Sequence, residues 1–207
     1  MSLFDSEKLR SAPVSKDPFD HIMVTKLLET DCLESVLRDF PQIDGPGSIP
    51  LSALDYGPKF RELIEILRGP DVEEILSEKF SLDLHNRPTM VTVRGHCRNR
   101  DGKIHVDSKE KLVTILLYLN ASWEQVEGRL RLLREPNNIE DYVVEVPPNE
   151  GSFLAFKCTD RAWHGHKSFR GERKAIQVNW VTNDNYVMRE QRRHKVSGFL
   201  KHFGLAT

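Results

Sequence analysis

At Pro88 the hydrophobic pattern of this chain changes period, and that change most restricts what the chain can fold into. Before it, Lys59 to Leu67 places Phe60, Leu63, Ile64 and Leu67 at helical spacing, and Val72 to Phe80 does the same with Ile75 and Phe80. Gly69-Pro70 separates the two. After it come short apolar or β-branched runs: Met90 to Val93, Lys111 to Leu119, Arg129 to Leu133, Tyr142 to Val146, Ser152 to Phe156 and Lys174 to Val181. Asn99-Arg100-Asp101-Gly102, Pro147-Pro148-Asn149 and Phe169-Arg170-Gly171 punctuate them as turns. Many strands at close spacing predict a β-barrel or sandwich, with helices packed on it.

The rest of the chain reads around that core. His21 to Thr25 suits a short strand, and Thr30 can cap a helix over Asp31 to Phe40. Gly45-Pro46-Gly47, with Pro41 and Pro50, marks a loop. Asn185 to Phe203 looks helical and basic, with Arg189, Arg192, Arg193, Lys195 and Lys201, a pattern typical of a solvated helix face. The expectation is a single domain over 1–207: a mainly helical part to residue 87, a β core over 88–182 and a basic helix over 183–207. At 207 residues such a domain can bury its core without staples. A net charge of −1 gives the whole molecule no electrostatic pull towards nucleic acid or an anionic membrane. Apolar runs such as Ile115-Leu116-Leu117 are far too short to span a bilayer, and Met1 to Asp20 lacks the apolar stretch of a signal peptide. Cys32, Cys97 and Cys158 are odd in number and widely spaced, which argues against a disulfide framework and for a reducing, cytoplasmic setting.

His105-Val106-Asp107 carries the first chemical signal. Taken alone it is as readily a turn whose polar side chains face water. On an extended segment, however, residues i and i+2 point to one side, so an imidazole and a carboxylate can reach the same ion. A second histidine from a distant strand would complete a two-histidine, one-carboxylate face with three open positions, the usual arrangement for non-haem iron(II). Trp163-His164-Gly165-His166 offers that partner. Nine positions after His164, Arg173 opens the apolar run Lys174 to Trp180. A guanidinium there is costly unless paired, and a dicarboxylate would pair it through two parallel hydrogen bonds.

The stretch HVDSKEKLVTILLYLN, His105 to Asn120, resembles the 2-oxoglutarate oxygenases of the prolyl-hydroxylase type. Tyr118-Leu119-Asn120, Ser122-Trp123, Gly128-Arg129-Leu130-Arg131, Gly151 to Phe156, His164 and Arg173 follow in that family's order, so the resemblance covers about Thr89 to Val181. It implies an α+β protein whose core is a double-stranded β-helix of the jelly-roll or cupin-like kind. It implies Fe(II) held by His105, Asp107 and His164, with O2 and 2-oxoglutarate as cosubstrates and ascorbate as a candidate reductant. Arg173 would bind the distal carboxylate of 2-oxoglutarate, assisted by the Tyr118 hydroxyl. His164 is preferred over His166 by its spacing to Arg173 and by the neighbouring Trp163 as an aromatic shield. Strand alternation places Leu112, Thr114, Leu116 and Tyr118 on one face, and Arg173, Ala175, Gln177 and Asn179 on another. The implied reaction hydroxylates a substrate while 2-oxoglutarate becomes succinate and CO2. An intact Asp107 argues against a halogenase.

Sensor-type members place a tyrosine near the end of the strand before H-x-D, whereas this chain has Arg94 there. Substrate choice is therefore not carried over, and a prolyl residue, another side chain and a small metabolite all stay open. Arg94 and Asn179 are the candidate substrate contacts, with Glu135 to Tyr142 and the helix from Asn185 as further recognition segments. Two rivals remain: a cupin-like metalloenzyme with non-oxidative chemistry, and a non-catalytic metal-binding or sensor domain.

Overall fold

The computed structural model describes residues 3–149 and 151–190. Helix α1 is Ser6–Ser11, α2 is Thr30–Arg38, α3 is Pro58–Leu67 and α4 is Pro70–Phe80. Proline at the first helical position, after Gly57 and Gly69, starts α3 and α4, because its fixed φ suits a helix and its missing N–H would be unpaired there anyway. Asp39 adds an acceptor to α3, its Oδ2 taking the Lys59 N–H at 2.6 Å. Helix α2 begins one residue earlier than expected: Thr30 is its first helical residue and Glu29 its N-cap, with no side-chain capping bond.

Among the described residues, nine strands follow a simple plan. They are β1 (His21–Val24), β2 (Ile49–Pro50), β3 (Thr89–Cys97), β4 (Lys111–Tyr118), β5 (Leu130–Leu133), β6 (Tyr142–Val146), β7 (Phe153–Lys157), β8 (Trp163–His166) and β9 (Gly171–Val181). One sheet has the order β1-β7-β4-β9-β3-β2 and the other β6-β5-β8, and every pairing of named strands is antiparallel. Sequence periodicity anticipated seven of the nine, six of them after Pro88 and one at His21. It missed β8 and the short β2, which falls where a loop was expected, and it ended β3 at Val93, whereas the strand continues past a bulge at Arg94 to Cys97.

Alternation along the large sheet separates two interiors. Val113, Ile115 and Leu117 of β4, with Ile176, Val178 and Trp180 of β9, pack with Phe60, Leu63, Ile75 and Phe80 of the helices. The opposite face supplies Tyr118, Leu154, Phe156 and Ala175, which pack with Leu130, Leu132 and Val146 of the small sheet. Two facing antiparallel sheets with helices on one outer side form the double-stranded β-helix that the sequence led us to expect. Leu112 departs from its expected face. The β4–β9 register shifts between Lys111 and Val113, and Leu112 turns to pack against the helical core.

Residues 184–190 are helical and pack Tyr186 onto Met90 and Val181. The remainder of the expected basic helix, including Arg192, Arg193, Lys195 and Lys201, lies outside the described residues. Among the described residues no helix is long and apolar enough to cross a membrane.

Asn120 fastens the site-bearing strands together. Its amide donates to Pro148 O at 2.5 Å and to Lys174 O at 3.3 Å, and its Oδ1 accepts from Lys174 N at 2.8 Å. Asn120→Ala leaves these buried backbone groups unpaired, so urea denaturation should show a loss of roughly 2–3 kcal/mol. An unchanged midpoint would mean that water or backbone shifts replace the bonds.

Candidate active site

The His105 segment reaches β8 through an antiparallel bridge. His105 N donates to His164 O and His164 N to His105 O, both at 3.0 Å. The loop leading there crosses β8 closely. A Cβ on Gly102, whose φ is +92°, would overlap the His166 backbone and ring, so only glycine suits this position.

The bridge brings two imidazoles side by side, with ring centroids 4.3 Å apart. Each is oriented by a carbonyl two residues upstream: His105 Nδ1 lies 2.9 Å from Lys103 O, and His164 Nδ1 lies 2.9 Å from Ala162 O. A carbonyl only accepts, so both Nδ1 atoms carry the proton and both Nε2 lone pairs stay available to a metal. Burial pushes His164 down to about 4, with Asp107 opposing and His105 adding, so the ring is neutral at pH 7. The ring against His164 is Phe156, at 4.9 Å, and not Trp163, which alternates to the other face of β8.

Asp107 completes the cluster. One ligand atom from each of His105, Asp107 and His164 lies within 4.8 Å of the other two. Ligands on one face of an ion, each about 2.1 Å from it, stand roughly 3 Å apart, so the three side chains draw closer together when a metal binds. Burial would raise Asp107, but the Lys111 ammonium, then His164, and hydrogen bonds from Lys111 and Thr114 hold it down at about 2. The carboxylate is therefore ionised. Two imidazoles that present Nε2 and one anionic carboxylate, on one side of a cavity, fit a divalent metal that keeps open positions.

Behind Asp107 stands a relay that the sequence did not disclose. Thr114 Oγ1 donates to Asp107 Oδ2 at 2.6 Å and accepts from Asn179 Nδ2 at 2.7 Å, while Gln177 Nε2 donates to Asn179 Oδ1 at 3.1 Å. Asn179, expected at the substrate, is instead fully buried behind the carboxylate. Cys158 lies beside this relay, 3.3 Å from Thr114 Oγ1, and burial, then Asp107, push its thiol up to about 12.

Across the cavity, Arg173 is 5% exposed. Its Nε donates to Gly128 O at 2.8 Å and its Nη2 to the Tyr118 hydroxyl at 3.1 Å. Burial raises the Tyr118 pKa despite Arg173, so the hydroxyl is intact. Among the described residues no carboxylate forms an ion pair with Arg173, although such burial is expensive without an anion. The cavity, about 240 Å³, runs between Arg173 and the His105–Asp107–His164 cluster. His166 also lines it, pushed down to about 4 by burial and then by Arg173, but it lies outside the metal cluster. Arg94 sits on the wall, paired with Asp101 at 2.9 Å and bonded to Ser48 at 3.1 Å.

The sequence profile of the 2OG-Fe(II) oxygenase superfamily matches residues 92–182, which carry all of these groups except Ser48. Over those residues the chain is similar to that superfamily. The match implies Fe(II) as cofactor, 2-oxoglutarate and O2 as cosubstrates, and the activity of an oxidoreductase of the dioxygenase type. Solved structures agree on the fold. A prolyl 4-hydroxylase from Phytophthora capsici superposes with a TM-score of 0.59 at 17% identity, over 87% of this chain and 66% of that one. A Pseudomonas putida prolyl-4-hydroxylase gives 0.54 at 14%, over 86% and 97%. A Trichoplax adhaerens prolyl hydroxylase, in complex with a hypoxia inducible factor peptide fragment, gives 0.57 at 19%, over 85% and 90%. No curated protein sequence matches the chain.

The relay makes a measurable statement. Thr114→Val removes the hydroxyl that orients Asp107, so calorimetric affinity for Mn(II) should fall by about ten- to a hundredfold, with Thr114→Ser restoring most of it. Equal affinity in Thr114→Val would show that Asp107 is positioned without the relay.

Proposed function

We propose that His105, Asp107 and His164 hold Fe(II), that Arg173 and Tyr118 hold the distal carboxylate of 2-oxoglutarate, and that the chain hydroxylates a substrate with release of succinate and CO2. One observation carries this reading: a buried guanidinium without an anionic partner faces, across one cavity, a cluster whose donors suit a ferrous ion. Bound metal, cosubstrate and O2 supply the oxidising power. The protein's own groups do the rest. The two Nε2 atoms and the Asp107 carboxylate fix the metal's place. Arg173, held by Gly128 O and Tyr118, offers directed donors to a carboxylate, and Leu116, Leu130 and Ala175 keep the stretch between apolar.

A site built for non-oxidative chemistry, or for structure alone, gives no reason to bury Arg173 unpaired. The substrate class stays wide: a prolyl residue, as the peptide-bound Trichoplax neighbour suggests, another side chain, or a small metabolite. A reducing, cytoplasmic setting suits both the ferrous ion and the three free cysteines.

The purified chain with Fe(II) and 2-oxoglutarate, without O2, should develop the visible charge-transfer band of the ferrous chelate. His164→Ala should abolish the band along with metal binding. Arg173→Ala should keep metal binding but raise the 2-oxoglutarate concentration at half-maximal band by about a hundredfold, the worth of a charge-assisted bidentate contact. An Arg173→Ala curve that overlays wild type would overturn the assignment of that residue, and no band in wild type would overturn the reading as a whole.

A further inference from the structure

Lys111 is a lysine where alternation would put none. Counting back along β4 from Val113, it belongs on the face turned to the helices, but the bulge at Leu112 turns it into the cavity instead. There its side chain is 11% exposed, and its Nζ lies 2.7 Å from Asp107 Oδ1. Asp107 is its sole ion-pair partner among the described residues. Of the other cations around this space, Arg173 is the one assigned to 2-oxoglutarate, while Arg94 is compensated by Asp101 and Arg189 by Glu110 at 2.9 Å, carboxylates outside the metal cluster. Lys111 alone shares its counterion with the proposed ferrous site.

The charges follow. Once Asp107 ligates a divalent cation, its carboxylate no longer compensates the ammonium. With the site loaded, the metal contributes +2, Asp107 −1, 2-oxoglutarate −2, Arg173 +1 and Lys111 +1, which leaves +1. That surplus sits on Lys111, which also lines a second hollow of about 560 Å³ that shares His105, Asp107 and Gln177 with the first and is bounded by Tyr186, Arg189 and Glu190. A largely buried ammonium without a partner is costly. An anionic group arriving with the substrate would remove the cost.

We propose that Lys111 is the substrate-binding cation of this site, held in reserve by Asp107 until metal binds, and that the substrate carries a carboxylate near the carbon to be hydroxylated. This inference rests on the oxygenase reading given above. A free acidic metabolite and an acidic side chain in a peptide share the required chemistry.

Two measurements on the full chain test it, neither of them turnover. In calorimetry with Mn(II) alone, Lys111→Met should bind the metal roughly tenfold more tightly than wild type, because a competing cation has been removed from Asp107. Lys111→Gln should do the same, and Lys111→Arg should stay near wild type. If Lys111 merely props Asp107 in place, Met and Gln weaken binding instead, which overturns the proposal. In the second measurement, saturation-transfer NMR on chain loaded with Zn(II) and 2-oxoglutarate should detect bound propionate but not propionamide, with the propionate signal lost in Lys111→Gln. Equal signals from acid and amide, or a signal that survives in Lys111→Gln, would also overturn it. The same measurement with L-aspartate and with an acetylated tripeptide containing Asp then separates a free acid from a peptide. Failure of the oxygenase reading would appear separately, as absence of the anaerobic charge-transfer band in wild type.

Discussion

Two reciprocal hydrogen bonds between His105 and His164 hold the rest of the site in place. They join a segment that leaves the large sheet to the outer strand of the small one, and so fix the spacing of residues far apart in the chain. Each ring is then set by a carbonyl within its own segment, not by a distant side chain. Position and tautomer are thus both backbone properties. Local side-chain changes leave them intact, while a change at Gly102, where the loop passes over β8, would disturb them directly.

The polar interior survives because almost every group in it is paired. Asp107 is fed by Lys111 and Thr114, Thr114 by Asn179, and Asn179 by Gln177, all on the inward faces of two neighbouring strands of one sheet. In such low-dielectric surroundings a satisfied network is rigid and an unsatisfied member is expensive. Arg173 is the exception in charge, though not in hydrogen bonding. It keeps two neutral acceptors and lacks an anion, which marks one end of the cavity as built around a ligand. The rigid relay at one end and the unpaired cation at the other divide the work between placing a metal and recruiting a carboxylate.

Much of this was legible in the residues. The period change at Pro88, the i,i+2 geometry of His105 and Asp107, and the alternation of Tyr118 with Thr114 and of Arg173 with Gln177 all follow from local chain stereochemistry, which tertiary contacts preserved. What stayed hidden was of another kind. Trp163 to His166 shows no apolar alternation, because β8 is an edge strand whose pairing comes from β5 and from His105. Asn179 continues the face of Arg173, yet the depth of the sheet at that point turns it to Thr114 and away from the cavity.

By itself the sequence determined a mainly β core with helices packed on it and the metal-binding residue types, since each depends on spacing within one or two strands, while the roles of Arg173 and Tyr118 came with the family resemblance. The tertiary structure alone decided how those pieces meet. The bridge between His105 and His164 requires two sheets to face each other, and the bulge at Leu112 that turns Lys111 inward arises from the register between β4 and β9. Register is a relation between strands, and no pattern within a single strand contains it.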